Sequence, residues 1–198
     1  LKRLGKKRGA ARECFVVGKA LTATYIGNWK YAKQNMSEEE VPYTVNYLDG
    51  EQEEVTWIER AGKARVQYQN GDVYEGTYND SKQKHGFGKY TFKQPEVEDE
   101  VPPEVSYEGD YVNGLRQGVG VMKFPDSGRY HGQFSEGERH GQGSYMYPNG
   151  DVYSGEWVQG RKEGPGTYLF KESDSSFRGI WKNGDIISGD WVHKDGTT

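Results

Sequence analysis

The stretch Tyr130–Trp157, "YHGQFSEGERHGQGSYMYPNGDVYSGEW", nearly repeats itself. It opens on "YHGQF" and, twenty-three residues later, closes on "YSGEW". Between the two lie the turn-like "EGERHG", the run "GQGSYMY" and a second turn, "PNGD". An aromatic-x-Gly-x-aromatic motif at a fixed interval marks a repeat, and repeats decide the fold before anything else in a sequence does.

Working outward, the motif recurs as "YIGNW" from Tyr25, "YEGTY" from Tyr74 and "YEGDY" from Tyr107. After "YHGQF" and "YSGEW" come "FRGIW" from Phe177 and "ISGDW" from Ile187, with intervals of 23, 23 and 24 residues in the best-kept region. A second run follows each motif: "AGKARVQY" from Ala61, "HGFGKYTF" from His85, "QGVGVMKF" from Gln117, "HGQGSYMY" from His140 and "EGPGTYLF" from Glu163. The linkers "QNGD", "PDSG" and "PNGD" share one turn chemistry. Two insertions interrupt the series. One, at about 30–60, ends in "YTVNYLDGEQEEVTW", which alternates around Asp49-Gly50 and predicts a hairpin. The other, at about 93–106, contains the acidic, proline-rich "KQPEVEDEVPPEVS" and predicts a loop. The array is expected over 21–198, with a degenerate terminal cap at about 177–198.

Strand side chains alternate between faces. Tyr74, Gly76 and Tyr78 therefore share one face, and Gly86, Gly88, Tyr90 and Phe92 share one in the partner run. Pairing the runs lays rings over glycines, where a β-carbon would take the ring's space. The repeat-structural set is Tyr74, Gly76, Gly86, Gly88, Tyr107, Gly109, Gly118, Gly120, Tyr130, Gly132, Gly141, Gly143, Tyr153, Gly155, Gly164 and Gly166. The expectation is an all-β fold of repeated hairpins, each too small to be stable without its neighbours.

The pattern resembles the MORN repeat (membrane occupation and recognition nexus), whose consensus is close to Y-x-G-x-W-x-x-G-x-x-H-G-x-G. The resemblance spans Tyr25 to Trp191 apart from the insertions. It departs where Ala61, Gln117 and Glu163 replace the histidine, and where Phe134 or tyrosine replaces the tryptophan. It implies an elongated, single-layer antiparallel sheet, twisted and bent into a groove, that docks partners and turns nothing over. The unit "RHGQGSYMYPNGDVYSGEW" is also similar to MORN subunits of the radial spoke head in cilia and flagella. That likeness implies an axonemal scaffold with other spoke subunits as protein partners.

Composition fits a thin structure. Tyrosine (15), tryptophan (5) and glycine (28) are abundant while aliphatic residues are scarce. The net charge of −4 hides a basic arm at 1–20, with Lys2, Arg3, Lys6, Lys7, Arg8, Arg12 and Lys19 against Glu13. This arm is expected to be extended and to suit an acidic partner. The repeats themselves read as lacking a basic stripe. Cys14 is the only cysteine, which excludes an intrachain disulfide or a cysteine metal cluster and fits a cytoplasmic, cytoskeletal setting. The chain starts at Leu1 with no signal-peptide core, and the absent initiator methionine leaves room for domains outside it.

No cofactor, metal or catalytic residue is expected. The G-x-G runs continue into strand residues rather than a helix, unlike a nucleotide loop. His85 and His140 read as turn residues in separate repeats; no HExxH is present. The runs Ser37–Glu40 and Glu96–Glu104 read as solvated loops. The second-column rings Tyr78, Tyr111, Phe134, Trp157 and Trp181 are expected to stand partly exposed and form a partner-binding groove. Sheet ends are candidates for self-association, no nucleic acid is expected, and membrane contact is secondary. Two alternatives remain: a membrane- or cytoskeleton-associated scaffold that uses its basic arm on anionic lipid, and the regulatory array of a larger enzyme.

Overall fold

The computed structural model describes residues 42–48, 54–55, 57–95 and 101–198. The basic arm, Cys14, the Tyr25–Trp29 motif, Ser37–Glu40 and residues 96–100 lie outside the described residues. The described chain forms thirteen strands and no helix: β1 (Pro42–Tyr47), β2 (Glu54–Val55), β3 (Gly62–Tyr68), β4 (Val73–Tyr78), β5 (Lys84–Phe92), β6 (Val105–Val112), β7 (Leu115–Lys123), β8 (Arg129–Ser135), β9 (Glu138–Met146), β10 (Val152–Val158), β11 (Arg161–Phe170), β12 (Ser175–Lys182) and β13 (Asp185–Val192). They make one open antiparallel sheet in the order β13 to β3 by sequence neighbours, then β1 and β2. Burial alternates as the pattern demands: in β4, Tyr74, Gly76 and Tyr78 are buried while Glu75 and Thr77 face solvent.

Each repeat is a hairpin, closed by the five residues 79–83 between β4 and β5 and by two residues in the four that follow. Asn113-Gly114, Glu136-Gly137, Gln159-Gly160 and Asn183-Gly184 all take positive φ, 49–52° and then 76–97°. These are type I′ turns, whose twist matches that of the flanking strands. Pairing between repeats keeps a constant register, for example from Gly141↔Trp157 to Met146↔Val152. Pairing within a repeat does not. The register shifts just after Gly76, Gly109, Gly132 and Gly155. Each shift is a bulge, which bends the strand and strengthens its twist.

The two glycines of G-x-G therefore have different tasks. The first, Gly86, Gly118, Gly141 or Gly164, sits on the bulge at φ between +59° and +73°. The second lies in extended backbone beneath a ring. These second glycines join the motif glycines in a line across ten strands: Gly76, Gly88, Gly109, Gly120, Gly132, Gly143, Gly155, Gly166, Gly179 and Gly189 pair successively. Ala64 of β3 continues the line opposite Gly76.

Both insertions keep the sheet intact. β1 and β2 pair antiparallel on either side of Asp49-Gly50, with Val45 opposite Val55. β1 also pairs with β3, Val45 opposite Val66. At the end of the second insertion Glu104 accepts from Lys89 of β5 at 3.0 Å and Lys123 of β7 at 2.8 Å, spanning β6. These lysines hold its carboxyl well below the usual range, at about 2.

One sequence expectation needs correction here. "ISGDW" is not a further motif strand. β13 is the second strand of the last hairpin, so Gly189 pairs with Gly179 and Trp191 with Phe177. It matches "GTYLF" rather than "YSGEW", because the two runs share glycine-x-aromatic spacing and periodicity alone does not give direction. Within 177–198, Ile186, Ile187 and Trp191 are 57%, 61% and 50% exposed.

Candidate functional site

The ring face is built in columns. First-column Tyr74, Tyr107, Tyr130 and Tyr153 are fully buried in a sheet one layer thick. Each ring lies along its strand over two glycines, as Tyr107 does over Gly109 and Gly120. Its hydroxyl donates to the carbonyl three residues on: Tyr74 to Thr77 (3.3 Å), Tyr107 to Asp110 (3.1 Å), Tyr130 to Gln133 (2.9 Å) and Tyr153 to Glu156 (3.3 Å). These carbonyls lie at the bulge, so the phenol satisfies a group that the broken ladder leaves over. Burial pushes the phenols of Tyr107, Tyr130 and Tyr153 up to about 12.

Second-column rings wall the first column in. Tyr107 meets Tyr111 edge-on at 5.2 Å in its own repeat and Phe134 at 4.9 Å in the next. Tyr130 meets Phe134 at 5.2 Å and Trp157 at 5.3 Å, and Tyr153 meets Trp157 and Trp181 likewise. Edge-to-face pairs of this kind add roughly 0.5–1.5 kcal/mol each beyond burial. The expected exposure of the second column is therefore corrected: Tyr78, Tyr111, Phe134, Trp157 and Trp181 are only 2–4% exposed. The physical reason is that these rings pack against first-column rings, and that Tyr111, Phe134 and Trp157 are also covered from above.

The cover is a column of cations that the sequence reading missed. Lys84, Arg116, Arg139 and Lys162 stand directly opposite Tyr78, Tyr111, Phe134 and Trp157 across the hairpins. Lys84 lies 4.6 Å from the Tyr90 ring centre, Arg116 5.6 Å from Tyr107, Arg139 4.4 Å from Trp157 and Lys162 4.7 Å from Tyr153. Such contacts are attractive through the ring quadrupole. The expectation that the repeats lack a basic stripe fails on these four residues. Its signal was present: each is a basic residue two positions before the first glycine of G-x-G.

Two of these cations also couple neighbouring repeats. The Arg116 guanidinium donates to the Gly137 carbonyl at 2.6 Å, and the Gly137 N–H donates back to the Arg116 carbonyl at 3.0 Å. Arg139 and Gly160 repeat the exchange at the same distances. Desolvation lowers the pKa of both Arg139 and Lys162. Between these two residues lies a depression of about 390 Å³, also lined by Tyr145, Tyr147 and Trp157. Aspartates close the opposite end of the rings. Asp151 accepts from Tyr168 (2.9 Å), the Lys171 N–H (2.8 Å) and Asn149 (2.8 Å), and Asp72 makes the same set with Tyr90, Lys93 and Asn70.

His85 and His140 are exposed and lie within β5 and β9, not in turns. The connection before each ends short of it, at residue 83 and at Gly137, which corrects the sequence expectation. Among the described residues no three His, Cys, Asp or Glu side chains gather as a metal site.

The MORN repeat profile matches residues 74–94, 107–129, 130–152 and 153–175. These four stretches carry MORN repeats. MORN repeats are interaction modules that mediate protein or membrane contacts and are generally non-enzymatic. No curated protein matches the chain. Among solved structures, the TCP domain of SAS-4 (dCPAP) of Drosophila melanogaster, in complex with a proline-rich motif of Ana2 (dSTIL), matches at 14% identity. The match covers 68% of each chain, with a TM-score of 0.40.

Proposed function

We propose that this MORN array is a non-enzymatic docking scaffold of the axonemal radial spoke head, placed in the cilium or flagellum and supporting motility. The observation that carries the scaffold reading is the ring face. Its aromatic core is closed inside one sheet, and what it offers outward is a row of half-buried cations beside the 390 Å³ depression. A partner meets Arg139, Lys162 and the rim of Tyr147, while the buried rings hold these groups in place. An extended partner segment with carboxylates beside apolar side chains suits that surface. The spoke assignment is supported by the resemblance of "RHGQGSYMYPNGDVYSGEW" to spoke-head MORN units.

Pull-down from axonemal extracts tests both levels, using the intact chain and an Arg139→Ala/Lys162→Ala variant. Spoke subunits are expected with the intact chain and depleted with the variant. Recovery of an unrelated set, equal for both chains, would overturn the reading. The arm at 1–20 favours a second reading, adhesion to anionic lipid. Vesicle co-sedimentation unchanged by removal of residues 1–19 would exclude it.

A further inference from the structure

We propose that the depression between Arg139 and Lys162 is a socket for one carboxylate of a partner peptide, an Asp or Glu adjacent in the partner's chain to a large apolar residue. The inference rests on the reading of the ring face as the docking surface, and narrows that surface to one seam and one recognised group.

The lining is held by neighbouring strands. Arg139 and Tyr145 of β9, Trp157 of β10 and Lys162 of β11 line the depression, with Tyr147 just beyond β9. Tyr145 packs against Tyr147 at 4.7 Å, Phe124 at 5.4 Å and Trp157 at 6.4 Å, so the wall is a continuous aromatic surface on strands. At about 390 Å³ the space lies at the small end of ligand sites, on the scale of side chains rather than of a domain surface.

What the two cations lack decides the charge of the occupant. Lys162 Nζ stands 4.7 Å from the ring centre of Tyr153 and 5.3 Å from those of Tyr147 and Tyr168. Among the described residues it has no hydrogen-bond acceptor and no ion-pair partner. Arg139 spends one terminal nitrogen on the Gly160 carbonyl at 2.6 Å, and among the described residues it too has no carboxylate partner. Desolvation lowers the pKa of both, and the charge of Arg139 lowers that of Lys162 further. A carboxylate beside them reverses these penalties, because an opposite charge favours the ionised forms. The rings remain free to pack an apolar neighbour of that carboxylate.

The cations upstream are engaged differently. Lys84 is only 7% exposed, enclosed by the rings of Tyr68, Tyr74, Tyr90 and Tyr111. Arg116 donates to the Gly137 carbonyl, and its other terminal nitrogen lies 3.9 Å from Met122 Sδ. Met122 faces Tyr130 as Tyr145 faces Tyr153, so a thioether stands there where the socket has an aromatic wall.

Charge favours a peptide carboxylate over an anionic lipid surface. Setting aside the arm's seven basic residues and one Glu, the chain's 26 Lys and Arg and 30 Asp and Glu fall to 19 and 29. A single carboxylate meets only the two cations, since charges beyond about 8–10 Å are screened. A sheet of headgroups meets the acidic surplus as well.

NMR spectra of the full chain labelled at tryptophan nitrogen test this. The Trp157 indole N–H donates to the Gly143 carbonyl at 3.1 Å, and its ring lies in the lining, so its resonance reports locally. The probes are a short Gly/Ser-framed peptide carrying Glu-Leu-Phe and its Gln-Leu-Phe counterpart. The Glu peptide should shift the Trp157 resonance and bind about tenfold tighter than the Gln peptide. That preference should vanish in Lys162→Met and return in Lys162→Arg, with urea midpoints showing both variants folded. Equal binding of the two peptides, a preference that survives Lys162→Met, or no response at all would each overturn the proposal. So would inorganic phosphate or phosphatidylserine vesicles that match the response to the Glu peptide. Spoke subunits recovered without a Glu preference would overturn the socket and leave the axonemal reading standing. A Glu preference without spoke subunits would do the reverse.

Discussion

Adding one methyl group at Gly120 probes the central feature of the ring face. A Cβ there would stand 2.7 Å from Cε2 and Oη of Tyr107 and 2.8 Å from its Cζ, against about 3.5–4.0 Å for a relaxed contact. The ring has no free direction: Tyr111 and Phe134 flank it at 5.2 and 4.9 Å, and its hydroxyl is held by Asp110 at 3.1 Å. Overpacking of this kind costs roughly 1–3 kcal/mol. Gly120 has no positive φ, so without the ring alanine would stabilise by roughly 0.4–1 kcal/mol through the unfolded chain. The sign should therefore reverse with the partner. Gly120→Ala is expected to destabilise the wild-type chain and stabilise a Tyr107→Ala chain, a coupling of about 2 kcal/mol. Tyr107→Ala alone costs roughly 3–5 kcal/mol, and Tyr107→Leu serves if that variant is too unstable. Urea unfolding followed by tryptophan fluorescence measures all four corners of the cycle. An equal cost of Gly120→Ala in both backgrounds would refute the ring-over-glycine account.

Gly118→Ala should behave oppositely. At φ +67° it costs roughly 1–2 kcal/mol from backbone strain, unchanged by Tyr107→Ala in the same unfolding assay. Raising the pH should weaken the array. With phenols of Tyr107, Tyr130 and Tyr153 pushed up to about 12, the unfolded chain loses these protons first. Their contribution is full below pH 10 and is lost as pH rises through 12. Urea midpoints that do not fall between pH 9 and 11.5 would contradict this, and absorbance at 295 nm should show the buried phenols ionising late. Arg139→Lys should cost about 1–2 kcal/mol, because lysine lacks the fork that reaches Gly160 at 2.6 Å while lying over Trp157. A lower urea midpoint and a red-shifted emission are the expected readouts.

Most of the fold was legible because the strand period and the repeat period reinforce each other. "YEGTY" and "HGFGKYTF" carry both, and the all-β sheet and the sharing of faces followed from them. The bulge was not legible, since a register shift leaves the side-chain alternation of each strand intact. The positive φ of Gly86 and Gly118 marks it only in coordinates. The burial of Trp157 was misjudged because one strand's pattern says which face a ring takes, not what the next repeat lays over it. Arg139 was missed for a related reason. Its role depends on the Trp157 ring beneath it and Gly160 beside it, contacts that the sequence separates by eighteen and twenty-one positions. "ISGDW" misled because a short palindromic spacing carries no strand direction.

The contrast between bulged ladders within repeats and unbroken ladders between them has a consequence for size. All irregularity is contained inside a unit, so units join through identical seams. Excising residues 130–152 would set Gly155 opposite Gly120, where Gly132 now stands, with no strand out of phase. Each unit of 23 residues adds two strands, about 10 Å along the hydrogen-bonding direction. The chain is in this sense a measuring rod. The separation of whatever binds its two ends is written in the number of units, and evolution can lengthen or shorten it in fixed steps while both binding ends stay unchanged.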